Sequence, residues 1–236
     1  MARIVQRTAA LLPTACVLCA AGGPDLLCMG CRDQFACGQI ARCRSCGTLI
    51  GQRAGERCGA CLKHPPAFDA TCVACDYAPP LDQLVLNLKF GNRLPVAALM
   101  AGMLADTVAA GSVARPDVLT AVPLGRARLV ERGFNQALEI AKPLARQLSL
   151  PLDRGLLARQ RDTRAQSLLH PDERHANIRR AFIVPAAAME AVRGRHIGVV
   201  DDVMTTGETL NEVAATLKRF GAARVTNFIF ARTLPA

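Results

Sequence analysis

The chain is predicted to be an α/β protein, with a mostly parallel sheet flanked by helices behind a small cysteine-stapled module. Three observations predict this. All eleven cysteines lie between Cys16 and Cys75, most of them in Cys-x-x-Cys pairs. From residue 67 onward, apolar runs of strand length alternate with segments of helical spacing, the pattern of repeated βα units. One of those runs, VVDDVMTTGETL (199–210), ends in two adjacent acids and a small hydroxyl-rich turn. Open α/β sheets bind ligands where their strands end in this way.

The first module spans residues 1–66. Its pairs Cys16/Cys19, Cys28/Cys31, Cys43/Cys46 and Cys58/Cys61 are separated by 8, 11 and 11 residues. A Cys-x-x-Cys turn presents two thiolates to one metal, and two such turns complete a tetrahedral Zn²⁺ shell. Eight ligands therefore suit two structural zincs. A segment with so few large apolar residues needs staples of this kind to fold. Sequential pairing, the first two turns and then the last two, is the simpler arrangement, with an interleaved brace as the alternative. Disulfide and redox roles are the competing uses of such pairs, but the pairs are too regular for a disulfide framework, and a thioredoxin-like redox pair would be single and embedded in a βαβ unit. Cys37 and the pair Cys72/Cys75 are read as packing residues, the latter two inside a buried strand.

KHPPAFDA (63–70) is the expected joint, since a Pro pair resists both helix and sheet. The second unit, 67–236, then opens with a strand at DATCVACDY (69–77) and a helix at PLDQLVLNLKFG (80–91). LPVAALMAGMLADTVAAGSVA (94–114) is nearly long enough to cross a bilayer. Asp106 near its middle and its Ala/Gly content read better as a buried helix. DVLTAVP (117–123) is a short buried strand, followed by one long helical pattern through RLVERGFNQALEIAKPLARQL. RHIGVVDDV (195–203) and ARVTNFIFA (223–231) are further strands, with the amphipathic helix GETLNEVAATLKRFGA (207–222) between them. The opening segment imitates a signal peptide, but Pro13 interrupts it and it runs straight into a Cys-x-x-Cys pair. A cytoplasmic protein with no membrane span is expected.

The acid pair and its loop carry the chemistry. Thr205, Thr206 and Thr209 offer hydroxyls, Gly207 lets backbone approach a ligand, and the helix that starts there points free N–H groups at an anion. Asp201 and Asp202, just upstream, suit vicinal hydroxyls or hydrated Mg²⁺. A ribose 5-phosphate satisfies all of these groups at once. Two Arg-bearing stretches could hold further phosphates: Arg126, Arg128 and Arg132 after the strand at 117–123, and Arg159, Arg161, Arg164 and Arg174 in a polar segment suited to a mobile hood. Lys89, near a helix end, is a weaker candidate.

The stretch VVDDVMTTGET resembles the PRPP-binding signature of type I phosphoribosyltransferases. VPLGRARLVERGFNQALEIA (122–141), LLARQRDTRAQSLLHPDERHANIRRAF (156–182) and the lead-in LLPTACVLCAAGG resemble signature stretches of the ComF family. The resemblance runs from about Leu11 to the end of the chain. It implies a double zinc ribbon followed by a type I phosphoribosyltransferase fold, with 5-phosphoribosyl pyrophosphate (PRPP) bound together with Mg²⁺. It implies Asp201 and Asp202 as the diol and metal residues and Thr205, Thr206, Gly207 and Thr209 as the 5-phosphate loop. Arg132, Arg159 and Arg161 are the pyrophosphate residues by the same resemblance, which also implies a link to uptake of transforming DNA.

Composition limits the function further. The formal charge is +10, carried by 25 Arg and 4 Lys against 19 acids. Residues 1–66 hold 7 Arg, 1 Lys and 3 acids, a net +5, which suits phosphate or nucleic acid. Two functions stay open: a PRPP-binding protein that transfers or senses 5-phosphoribose, and an adaptor that holds single-stranded DNA or DNA-uptake proteins. With no Trp, 1 Tyr and 8 Phe, the chain is poorly supplied for base stacking.

Overall fold

A computed structural model describes residues 14–36, 41–50, 57–111, 113–160 and 181–234. Strands β1 (Thr14–Ala15) and β2 (Gly22–Gly23) pair as a hairpin and are followed by the short helix α1 (Met29–Cys31). After α2 (Gly59–Lys63) the chain alternates strand and helix. In order come β3 (Ala70–Asp76), α3 (Asp82–Lys89), α4 (Pro95–Ala109), β4 (Val118–Ala121), α5 (Arg126–Arg132) and α6 (Gln136–Gln147). Then follow β5 (Ala158–Arg159), β6 (Phe182–Ile183), α7 (Met189–Val192), β7 (His196–Met204), α8 (Glu208–Arg219) and β8 (Arg224–Arg232).

The long strands form one parallel sheet in the order β3–β8–β7–β4, with Val118 opposite Ile197 and His196 opposite Arg224. β7 and β8 are central and buried on both faces, which is why IGVV and VTNFIFA read as unbroken runs rather than alternating ones. On one face α3, α4 and α6 pack Leu84, Leu88, Met100, Leu104, Ile140 and Leu144 against Leu119, Val200, Phe228 and Phe230. On the other, Leu210, Val213 and Leu217 of α8 and Val192 of α7 cover Ile197, Val199, Val225 and Ile229. β5 and β6 make a separate antiparallel ribbon beside α8.

One element differs from expectation. The helical pattern through 128–148 is two helices, because Gly133 adopts φ +76° and ends α5 in the left-handed conformation that favours glycine. Asn135 then restarts the chain as α6. Its Oδ1 accepts from Leu138 N–H and its Nδ2 donates to the Val122 carbonyl at 3.0 Å. The break frees α5 from the core, and none of its residues is buried. It lies beyond the carboxyl end of β4. The segment 94–114 contains the fifteen-residue helix α4, as expected. Among the described residues no helix is long and apolar enough to cross a membrane.

Candidate functional site

β7 carries both acids to the carboxyl end of the sheet, between β4 and β8. Each carboxylate folds back on the strand: Asp201 Oδ1 accepts from Asp202 N–H at 3.0 Å, and Asp202 Oδ1 from Val203 N–H at 2.8 Å. The other Asp202 oxygen meets the Lys89 ammonium, from the last turn of α3, at 2.7 Å. Burial first, and the adjacent Asp202 charge second, raise Asp201 well above the usual carboxylate range. Among the described residues the site thus holds two acids and one paired cation, Lys89, which offsets the rise of Asp201 only in part.

The loop beyond β7 is shaped around a cavity of about 40 Å³ lined by Asp201 and by residues 203–210, with room for a small oxyanion. Thr205 and Thr206 are exposed, and the Thr206 hydroxyl accepts from Glu208 N–H at 3.5 Å. Gly207 starts α8 at φ +88°, and a Cβ there would stand 2.5 Å from Met204 Cε. Its left-handed conformation therefore favours glycine, while the methionine tip could shift to admit a Cβ. The loop is held from behind by Arg232 at the end of β8. Its Nη1 donates to the carbonyls of Met204 (3.1 Å), Thr205 and Thr233 (3.1 Å), and its Nε to that of Cys46 (3.2 Å). Nothing in the sequence singled out Arg232. The only signal was a charge closing the apolar run FIFA.

The arginines fall into three groups. Arg132, at the end of α5, stands over the exposed ring of Phe90, the residue after Lys89, with 5.7 Å to its centroid. Arg159 lies on the β5–β6 ribbon over Phe182, 5.5 Å to the centroid, and does not line the cavity at the Thr loop. Arg161, Arg164 and Arg174 lie outside the described residues.

The eight paired cysteines form two clusters, Cys16/19/28/31 and Cys43/46/58/61, within each of which the sulfurs lie within 4.8 Å of one another. Pairing is therefore sequential. The contacts Cys19–Cys28 and Cys46–Cys58 are both 3.7 Å. A tetrahedron with Zn–S bonds of about 2.3 Å has edges of about 3.8 Å, so the sulfurs fit one zinc per cluster. Burial opposes ionisation of Cys16, but the N–H groups of Cys19, Cys28 and Leu18 outweigh it and lower the thiol to about 6. Cys43 is lowered to about 7 in the same way by Cys46, Cys58 and Ser45. Burial pushes Cys31 up to about 12 and Cys46 up to about 11, and it raises Cys61 as well. Each cluster thus sets one thiolate-prone sulfur beside thiols pushed the other way, Cys31 in the first and Cys46 and Cys61 in the second. Cys72 and Cys75 are buried packing residues, as expected, with Cys75 pushed up to about 12 by burial. Cys37 lies outside the described residues.

Residues 135–232 match the phosphoribosyl transferase domain. Fold and crevice together define a phosphoribosyltransferase-domain protein with two Cys₄ clusters at its amino-terminal end. DNA utilization protein YhgH of Escherichia coli O157:H7 is 36% identical over 207 residues, covering 84% of this chain and 89% of that protein. Competence protein F of Haemophilus influenzae is 31% identical over 203 residues, covering 84% and 87%. The chain belongs to the ComF family. Among solved structures, glutamine PRPP amidotransferase from B. subtilis, complexed with ADP and GMP, is similar at 22% identity and a TM-score of 0.38. That match covers 57% of this chain and 26% of the larger one.

Proposed function

We propose that the chain binds PRPP with Mg²⁺ at the end of β7, to transfer or sense 5-phosphoribose in the cytoplasm in support of DNA uptake. The observation that carries this reading is the acid pair placed directly upstream of an anion-sized cavity. In it, Asp201 and Asp202 accept the ribose hydroxyls. Thr205, Thr206, Gly207 and Thr209 hold the 5-phosphate with hydroxyls and the N–H groups that open α8. Arg132, Arg159 and Arg161 bind pyrophosphate. Mg²⁺ would neutralise pyrophosphate charge, held through water by the acids, and a cation there would favour the ionised form of the raised Asp201 carboxyl. In transfer, an acceptor nucleophile bonds to the anomeric carbon as the bond to pyrophosphate breaks. The chain contributes position and charge stabilisation rather than a base. We assign residues 1–66 to the zinc module and 67–236 to this domain. None of the ten described cysteines is in a disulfide, which suits a reducing compartment.

Phosphorus NMR of Mg²⁺–PRPP with the full zinc-loaded chain tests this. Shifted ligand resonances support binding, and pyrophosphate released beyond spontaneous decay supports transfer. Unchanged resonances at excess protein refute the reading.

A second reading is favoured by the net +5 of residues 1–66 and by the names of the relatives, a DNA utilization protein and a competence protein. In it, the basic module holds single-stranded DNA through phosphate contacts. Oligonucleotide affinity should then fall steeply with salt, and replacing exposed Arg44 and Arg57 by Glu should weaken it without changing PRPP binding. Salt-independent binding, or none, excludes it.

A further inference from the structure

The cation already standing on the acid pair has a use beyond compensating it. Lys89 closes α3 one residue after Leu88, which is fully buried in the core, so the helix aims the lysine stem along the sheet toward β7. The stem is largely covered, its side chain 22% exposed, and the ammonium reaches Asp202 Oδ2 at 2.7 Å. Asp202 is therefore held at both oxygens, by Val203 N–H and by Lys89. The next residue, Phe90, is 71% exposed and carries Arg132 over its ring at 5.7 Å. Arg132 of α5 is thus held against the residue that follows Lys89 in the chain. A pair this covered adds little net stability, because desolvation offsets much of its Coulomb gain, yet it is costly to leave either member unpaired.

We propose that Lys89 is a ligand-binding residue that neutralises Asp202 in the free protein and turns to the pyrophosphate of bound PRPP; this rests on the reading above. A sugar hydroxyl donating to Asp202 competes with Lys89 for the oxygen that faces it. The displaced ammonium then requires another anion within reach, and a flexible four-carbon stem with three donors can swing to one. PRPP carries a pyrophosphate on the carbon next to its diol and provides that anion. Ribose 5-phosphate has the same diol and 5-phosphate but no pyrophosphate, so it displaces the lysine without rewarding it. The exchange makes Lys89 a selector for the diphosphorylated sugar.

Calorimetry on the full zinc-loaded chain tests this with Mg²⁺–PRPP and ribose 5-phosphate on the parent, Lys89→Met and Lys89→Arg, with unfolding midpoints measured alongside. Lys89→Met should lose about tenfold or more in PRPP affinity, the worth of a charge-assisted contact, while ribose 5-phosphate affinity holds or rises. Lys89→Arg should keep most of the preference, and it carries the test if the methionine variant fails to fold. Equal weakening toward both ligands with a lowered midpoint would make Lys89 a structural counter-ion and overturn the proposal. Unchanged affinities in both variants would also overturn it. A parent that binds neither ligand overturns the PRPP reading itself, and this inference with it.

Discussion

The two Cys₄ clusters share a ligand set and a spacing logic, yet they are wired into the molecule differently. The first, Cys16/19/28/31, packs Cys16, Leu27 and Cys31 against Leu18, Phe35 and Leu99 of α4. Its polar tie to the sheet domain is Arg32–Asp106 at 3.3 Å, with side chains 43% and 72% exposed, a contact that contributes little. The second, Cys43/46/58/61, is keyed into β3. Thr71 N–H donates to the Arg44 carbonyl at 3.0 Å, Thr71 Oγ1 to the Ser45 carbonyl at 2.5 Å, and Arg42 meets Asp76 at 2.8 Å. Through Arg232 it also shares a side chain with the Thr loop. A cleft of about 530 Å³ separates it from the start of α8, lined by Phe68, Met204, Gly207, Asn211 and Arg232 among others. A metal site can thus be a local staple or part of a ligand loop's support, depending on what its turns touch.

The largest effect should come from breaking the second cluster. Cys43→Ser with Cys46→Ser should remove one zinc of two by metal analysis, lower the unfolding midpoint and weaken PRPP by about tenfold or more, since the loop loses its backing. The matching Cys16→Ser, Cys19→Ser variant should also lose one zinc but keep PRPP affinity within about twofold. Equal losses from both variants would erase the contrast.

Next comes the bridge. Arg232→Ala orphans carbonyls on both the loop and the Cys46 turn, and should cost about 3 kcal/mol in denaturant unfolding. Arg232→Lys should recover only part, because one ammonium cannot span the same fork. A wild-type midpoint in the alanine variant would mean that the two regions are independent.

Gly207→Ala sharpens the loop side alone. The left-handed φ predicts a loss of about 1–2 kcal/mol together with weaker phosphate binding, and an unchanged zinc content.

A smaller, pH-dependent effect serves as a control tied to neither cluster. Burial first and Arg224 second lower His196, whose Nε2 lies 2.8 Å from Thr226 Oγ1. With the folded value below the unfolded one, the unfolded chain binds the proton first. Stability from this group is present above about pH 6.5 and lost as pH falls. His196→Gln should flatten that part of the midpoint-versus-pH curve and leave PRPP affinity alone; an unflattened curve would show that other groups dominate it.

The sheet and the loop were legible in the sequence because their causes are local. IGVV and FIFA declare buried strands, and DDVMTTGET sets acids, hydroxyls and glycine within nine residues. The helix break at Gly133–Asn135 was also written locally, as a glycine and a capping residue inside a periodic run, but the periodicity masked it. Arg232 and Lys89 were harder to read because their roles are long-range. Arg232 meets Cys46 across 186 positions, and Lys89, on the helix after edge strand β3, meets Asp202 on central strand β7, contacts that no spacing rule encodes. The opposite placement of the clusters, one against α4 and the other against β3 and the Thr loop, has the same origin.

The central claim is that the end of β7 holds a phosphorylated ribose. Calorimetric titration of Mg²⁺–PRPP into the zinc-loaded chain and into its Asp201→Asn, Asp202→Asn double variant tests it most directly. The account predicts saturable binding to the parent and an affinity at least about tenfold lower in the variant, with both zincs retained. No binding to the parent, or equal affinity in the two proteins, would contradict it.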